Sequence, residues 1–225
     1  MSTRFILMLI FCRLLIGPLL AHDTWLLCDY NFQQTPGTIT LQLSSGHDFP
    51  ESDFLLDKDL INNWRLWNLD SVLVLSSFTA DSVQRCWTAN LIVQEPGVMI
   101  SQLGLKRALQ PEPLVWVKTI IVTGPTVFDE EQYKCSEGLE IVPLGAIHQL
   151  HPGGNIPLQL CWQGDPVASS IAVIHPQSKM KHLRTTQETP GILTLHKPGQ
   201  YLLTSTYQKR SCSLTLNILA KGYGE

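Results

Sequence analysis

Ile156–Trp162 (IPLQLCW), Ser170–Ile174 (SIAVI), Ile192–Leu195 (ILTL), Tyr201–Tyr207 (YLLTSTY) and Cys212–Leu219 (CSLTLNIL) are short apolar runs set between breaks. The breaks are Pro152-Gly153-Gly154, Gly164-Asp165-Pro166, Pro190-Gly191 and Lys197-Pro198-Gly199. Runs of strand length, rich in branched residues and bounded by Gly and Pro, read as strands rather than helices. Short strands at this spacing across residues 139–225 predict an immunoglobulin-like β-sandwich domain.

Working outward, Thr38-Ile-Thr-Leu-Gln-Leu43 alternates with period two between Pro36-Gly37 and Gly46, the pattern of a half-buried strand. Trp64–Asn68 and Val72–Leu75 read as a hairpin around Asp70, with Trp64 and Trp67 packing on opposite sides. Leu91–Val93 and Val98–Ile100, joined by Glu95-Pro96-Gly97, read as a second hairpin. Leu114–Val122 is a long apolar strand, and Gly124-Pro125 closes an N-terminal β-sandwich unit over 22–125. Between the two units, Phe128–Glu137 (FDEEQYKCSE) is acidic at its start and stopped by Gly138, which predicts a short linker helix within 126–138. The fold class is all-β: a sandwich unit, a linker helix and an immunoglobulin-like domain. No fixed-period repeat or low-complexity tract interrupts it.

The chain has 225 residues, a net charge of -3 and only 16% charged residues, against about 25% in typical domains. Phosphate binding needs a basic surface, so nucleic acid is not the expected partner. Met1–Arg4 followed by apolar Phe5–Leu20 and a small residue at Ala21 reads as a secretory signal peptide over 1–21. The competing reading, a transmembrane anchor, is weakened by Arg13 and Pro18. Export to the periplasm or outside the cell follows, with no later segment long and apolar enough to span a bilayer. Cleavage removes Arg4, Arg13 and Cys12. The remaining chain is more acidic, and Cys28, Cys86, Cys135, Cys161 and Cys212 are odd in number. Cys161 and Cys212 fall on predicted strands of the second unit, either as a disulfide between its sheets or as two buried thiols.

Chemistry concentrates at the new N-terminus. Cleavage after Ala21 starts the chain at His22-Asp23-Thr24-Trp25. A terminal His offers its α-amine and imidazole as a chelate for a divalent metal, although a His there can also be a mere product of cleavage. In Gly46-His47-Asp48-Phe49-Pro50-Glu51-Ser52-Asp53, His47 follows a strand end in a loop that is either a solvated turn or a site. As a site, His47 joins His22, with Asp48 as an oxygen ligand or as a partner that orients an imidazole. His148 and His151, three residues apart, fit a surface loop better than a metal pair. His175, His182 and His196 read as surface or packing residues. No G-x-S-x-G, H-E-x-x-H, P-loop, G-x-G-x-x-G or C-x-x-C motif is present.

An ordered set of short motifs runs through the chain: His22-Asp-Thr-Trp-Leu26, Gly46-His-Asp-Phe-Pro50, the Trp64–Asp70 strand, Tyr133–Glu140 (YKCSEGLE), His148–Gly154 (HQLHPGG), Trp162–Pro166 (WQGDP) and Lys197–Thr204 (KPGQYLLT). By these motifs the chain resembles an exported bacterial family of domains of unknown function, related to the periplasmic components of nickel and cobalt uptake systems. The resemblance implies a β-rich, immunoglobulin-like protein that binds or delivers a transition metal, with His22 and His47 as ligands. The cysteine content and the leader depart from the family's pattern.

The leading expectation is a non-catalytic, metal-binding accessory protein. Its metal is nickel or cobalt, with copper as a further candidate, and its partner is a membrane transporter component. The alternatives are a structural or interaction module without a ligand, and a copper oxidoreductase built on an N-terminal His brace.

Overall fold

A computed structural model describes residues 22–29, 32–33, 37–68, 71–106 and 112–220. The expected signal peptide over 1–21 and the turn at Asp70 lie outside the described residues. In chain order the strands of the first half are β1 Asp23–Cys28, β2 Phe32–Gln33, β3 Gly37–Gly46, β4 Ile61–Trp67, β5 Val72–Val74, β6 Thr79–Asp81, β7 Cys86–Val93, β8 Gly97–Leu105 and β9 Val115–Thr123. Those of the second half are β10 Leu139–Pro143, β11 Asn155–Trp162, β12 Asp165–Pro166, β13 Ser169–His175, β14 Ser178–Thr185, β15 Gly191–Thr194, β16 Gly199–Tyr207 and β17 Arg210–Ile218. Among the described residues the only helices are short 3-10 turns, so the all-β expectation holds.

One nine-stranded sheet forms the spine, in the order β14-β13-β16-β17-β9-β8-β4-β5 with β2 also on β9. Its centre is the parallel pairing of β9 with β17, from Val115↔Ser211 to Thr119↔Thr215. The 22–125 and 139–225 segments therefore share a sheet. A four-stranded sheet, β1-β3-β7-β6, covers one face, and a second, β10-β11-β12 with β15 on β11, covers the other. Strand β9 shows why its sequence loses the period-two pattern. Trp116, Ile120 and Val122 pack with Leu139, Ile141, Leu158 and Leu160. Val117 and Ile121, on the opposite side, pack with Leu26, Ile39, Leu41 and Leu91. A strand buried on both faces is apolar at nearly every position, and each such side chain contributes about 1.5–3 kcal/mol by leaving water. Trp64 and Trp67 divide in the same way, into the core beneath β1-β3-β7 and the core beneath β10-β11 respectively.

Two expectations are corrected. Strands β7 and β8 do not form a hairpin: β7 pairs with β3 and β6, and β8 pairs with β4 and β9. Glu95-Pro96-Gly97 is instead a crossing between layers, with Val93 in one core and Val98 in the other. The linker helix is also absent. Only Glu130–Tyr133 makes a 3-10 turn, capped by the Asp129 side chain. Tyr133 and Cys135 are both buried, a spacing of two that extended backbone supplies and a helix does not. The segment is pinned from inside. Buried Lys118 donates to the Tyr133 carbonyl and pairs with the buried Glu140 carboxylate at 2.5 Å. Glu140 also accepts from the backbone N–H groups of Cys135 and Ser136. Burial is the largest influence on the Lys118 ammonium and works against it, but the charge and hydrogen bond of Glu140, together with the neighbouring Cys135 and Cys161, bring the Lys118 pKa above its ordinary value.

Candidate metal centre

Strand pairing builds this site. Antiparallel β1 and β3 end with Asp23 opposite Gly46, so the next residue on each side, His22 and His47, emerges at the same rim. Their rings meet edge to face with centroids 4.1 Å apart. The chain after His47 then folds back. Glu51 N–H donates to the Asp48 carbonyl at 2.9 Å, and Asp53 N–H donates to the Ser45 carbonyl at 3.0 Å. Ser52 bridges this loop to the Arg85 carbonyl at 2.8 Å, and Arg85 returns a hydrogen bond to the Asp53 carbonyl. Gly46 eases the approach, because a Cβ there would stand 3.0 Å from the Asp53 side chain and backbone and push them back by a few tenths of an ångström.

Asp53 is thereby set against His47. Its Oδ2 accepts from the His47 backbone N–H at 2.8 Å and lies 2.8 Å from His47 Nδ1. These hydrogen bonds hold the Asp53 carboxyl below its ordinary pKa. A carboxylate on Nδ1 keeps the proton there and leaves Nε2 as the lone pair, the arrangement of a metal-ligating His. On the other side, Phe54 packs edge-on to the His22 ring at 4.9 Å. His22 Nδ1 is buried and has no hydrogen-bond partner. His22, His47 and Asp53 each offer a ligand atom, all within 4.8 Å of one another, and among the described residues no other such group forms. The donor set, two imidazoles and an orienting carboxylate, fits a divalent transition metal. Asp23 adjoins the cluster, and burial raises its carboxyl pKa against the opposing pull of His47.

His22 and His47 are brought together as their positions suggested. Asp48 is not part of the cluster: it is exposed, and its backbone carbonyl closes the turn. Asp53 occupies the carboxylate position instead. The visible signal for it was Ser52, a residue able to fasten a returning loop, but spacing alone does not choose among Asp48, Glu51 and Asp53. His148 stacks against Phe32 with centroids 5.9 Å apart, while His151 Nδ1 bonds to the Pro152 carbonyl at 2.9 Å. His175 is buried against Tyr201 and bonds to the Pro198 carbonyl. Cys161 and Cys212 lie in the core between β11 and β17 as unbonded thiols. Burial pushes the Cys161 thiol up to about 11 and the Cys212 thiol further.

A family model described as "Domain of unknown function (DUF4198)" matches residues 19–209. That description names no activity, metal or transport system. No curated protein matches in sequence. Three solved structures with weak similarity are FdeC, an Escherichia coli adhesin, the ectodomain of mouse nectin-like molecule 4 with its Ig1–Ig3 domains, and the D0–D1 domain of intimin. FdeC is 12% identical over 88% of this chain and 64% of that one, with a TM-score of 0.27. The nectin-like ectodomain is 13% identical over 89% and 64%, with a TM-score of 0.26. Intimin is 12% identical over 88% and 97%, also with a TM-score of 0.26. The chain spans under two thirds of the length of the first two. Among the described residues no helix is long and apolar enough to cross a membrane.

Proposed function

The chain belongs to this DUF4198 family, and from that premise we propose that it is an exported protein that binds a divalent transition metal through His22 and His47. The observation that carries the reading is the convergence of His22, His47 and Asp53, whose ligand atoms lie within 4.8 Å of one another, with Asp53 on His47 Nδ1. With the leader removed after Ala21, the His22 α-amine adds a third nitrogen. Imidazole and amine nitrogen suit nickel, cobalt and copper, with copper the tightest of the three. The role that follows is that of an accessory in nickel or cobalt uptake, holding the ion for a membrane component.

Calorimetric titration of the exported chain with nickel, cobalt and copper tests this, together with mass spectrometry of its N-terminus. Binding that weakens in His22→Ala and His47→Ala supports it; binding unchanged in both defeats it. The edge-to-face His pair at 4.1 Å also favours a second reading, a copper centre with redox activity. Ascorbate-dependent peroxide production by the copper-loaded protein would select it.

A further inference from the structure

A cleft of about 400 Å³ opens directly beside His22. Its floor is the part of the long sheet that the β1-β3-β7-β6 layer leaves uncovered. Ser213 Oγ donates to the Thr24 carbonyl of β1, so the Ser213 side chain faces that layer. The β16–β17 register places Thr204 opposite Ser213 and Thr206 opposite Ser211, so these hydroxyls share the same face. Farther along this face Leu202 is capped by Trp25 and Phe49, and the surface there is apolar. The surface changes to hydroxyls where the cover ends. Lys209 stands at the far end, fixed by the two-residue turn Gln208-Lys209, both residues left-handed with φ of 48° and 64°. Asp23 stands at the near end, next to His22. The cleft thus carries two cations at the hairpin end, Lys209 and an Arg210 already held by Glu112 and Trp162, with the Asp23 carboxylate and the hydroxyls as its other polar groups.

This inference rests on the metal reading above. A metal held by two imidazoles and an amine keeps open positions for an exogenous ligand. We propose that the cleft takes a small hydroxydicarboxylate that completes the coordination of the metal. One carboxylate and the neighbouring hydroxyl chelate the ion, and the hydroxyl donates a hydrogen bond to Asp23, which lines the cleft. The second carboxylate reaches Lys209, and the Thr204, Thr206 and Ser211 hydroxyls donate to the remaining oxygens. The volume lies within the range of small-molecule sites. The protein would then receive its ion as an organic-acid chelate rather than as the aquo ion.

Equilibrium dialysis of radiolabelled malate against the nickel-loaded exported chain tests the proposal, with succinate as the competitor that lacks the hydroxyl. Malate should be retained in proportion to bound nickel and succinate should not displace it. Lys209→Gln should weaken malate retention about tenfold, the scale of one charge-assisted hydrogen bond, with nickel affinity unchanged. Thr206→Val, at an exposed position, should weaken it to a lesser degree. Nickel binding without malate retention, or retention indifferent to Lys209→Gln, overturns this inference and leaves the metal reading standing. Absence of nickel binding overturns both.

Discussion

Two clusters of ionisable groups lie at opposite ends of the burial scale. Lys118 and Glu140 are 1% and 0% exposed, while His47 and Asp53 are 57% and 40% exposed. In the buried cluster each charge is answered: Lys118 meets Glu140 and the Tyr133 carbonyl, and Glu140 also gathers the Cys135 and Ser136 N–H groups. In the exposed cluster His22 Nδ1 has no partner, and a cleft opens beside it. A satisfied, closed network holds a chain segment in place, whereas an incomplete network at a rim is equipped to take something from solution. The first fastens the 129–138 connection, and the second is where the proposed metal site lies.

The largest expected effect tests the buried member. Lys118→Met leaves the Glu140 charge uncompensated and should cost about 3–5 kcal/mol of stability in denaturant unfolding. The double variant Lys118→Met/Glu140→Gln should recover part of that loss. At the exposed cluster the order should reverse, with little stability lost and much affinity. Asp53→Ala should lower metal affinity about 10–100-fold, the scale for a partner that orients a ligating His, and His47→Ala should lower it further. Apo thermal midpoints of both should stay close to that of the parent chain. The buried thiols give a pH test of the core. Burial raises the Cys161 pKa from 9.0 to about 11. The unfolded chain therefore loses this proton first, so stability is complete below pH 9.0 and declines as pH rises toward about 11. Thermal melts across that window check it, and the thiols should resist alkylation at neutral pH until the chain unfolds. The smallest effect belongs to the exposed Arg65–Glu137 pair: Arg65→Ala should change stability by about 0.2–1 kcal/mol.

The sequence was legible where one physical cause dominated. Thr38–Leu43 alternates because one face is buried, and the strands from Ile156 to Leu219 are bounded by Gly and Pro. It was illegible where partners decide the outcome. Strand β14 (SKMKHLRT) is an exposed edge whose Lys179, Lys181 and Arg184 blunt further pairing, so it shows no apolar alternation. Strands β7 and β8 flank a good turn, but a turn does not say whether the chain stays in one sheet or crosses to another. In the 128–137 segment, the acidic start and Gly138 imitate helix signals, and only the buried Lys118–Glu140 pair reveals why the backbone stays extended. His22 and His47 were legible as a His at the expected cleavage point and a strand-end His. Asp53 was hidden by a loop whose return depends on Ser45, Ser52 and Arg85, residues far apart in sequence.

Calorimetric titration of nickel and copper into the chain that begins at His22, with that N-terminus verified, bears most directly on the site. One ion should bind per chain, with affinity reduced by His22→Ala, His47→Ala and Asp53→Ala but not by Asp48→Ala. Binding that ignores His22 and His47, or that depends on Asp48 and not Asp53, would contradict it.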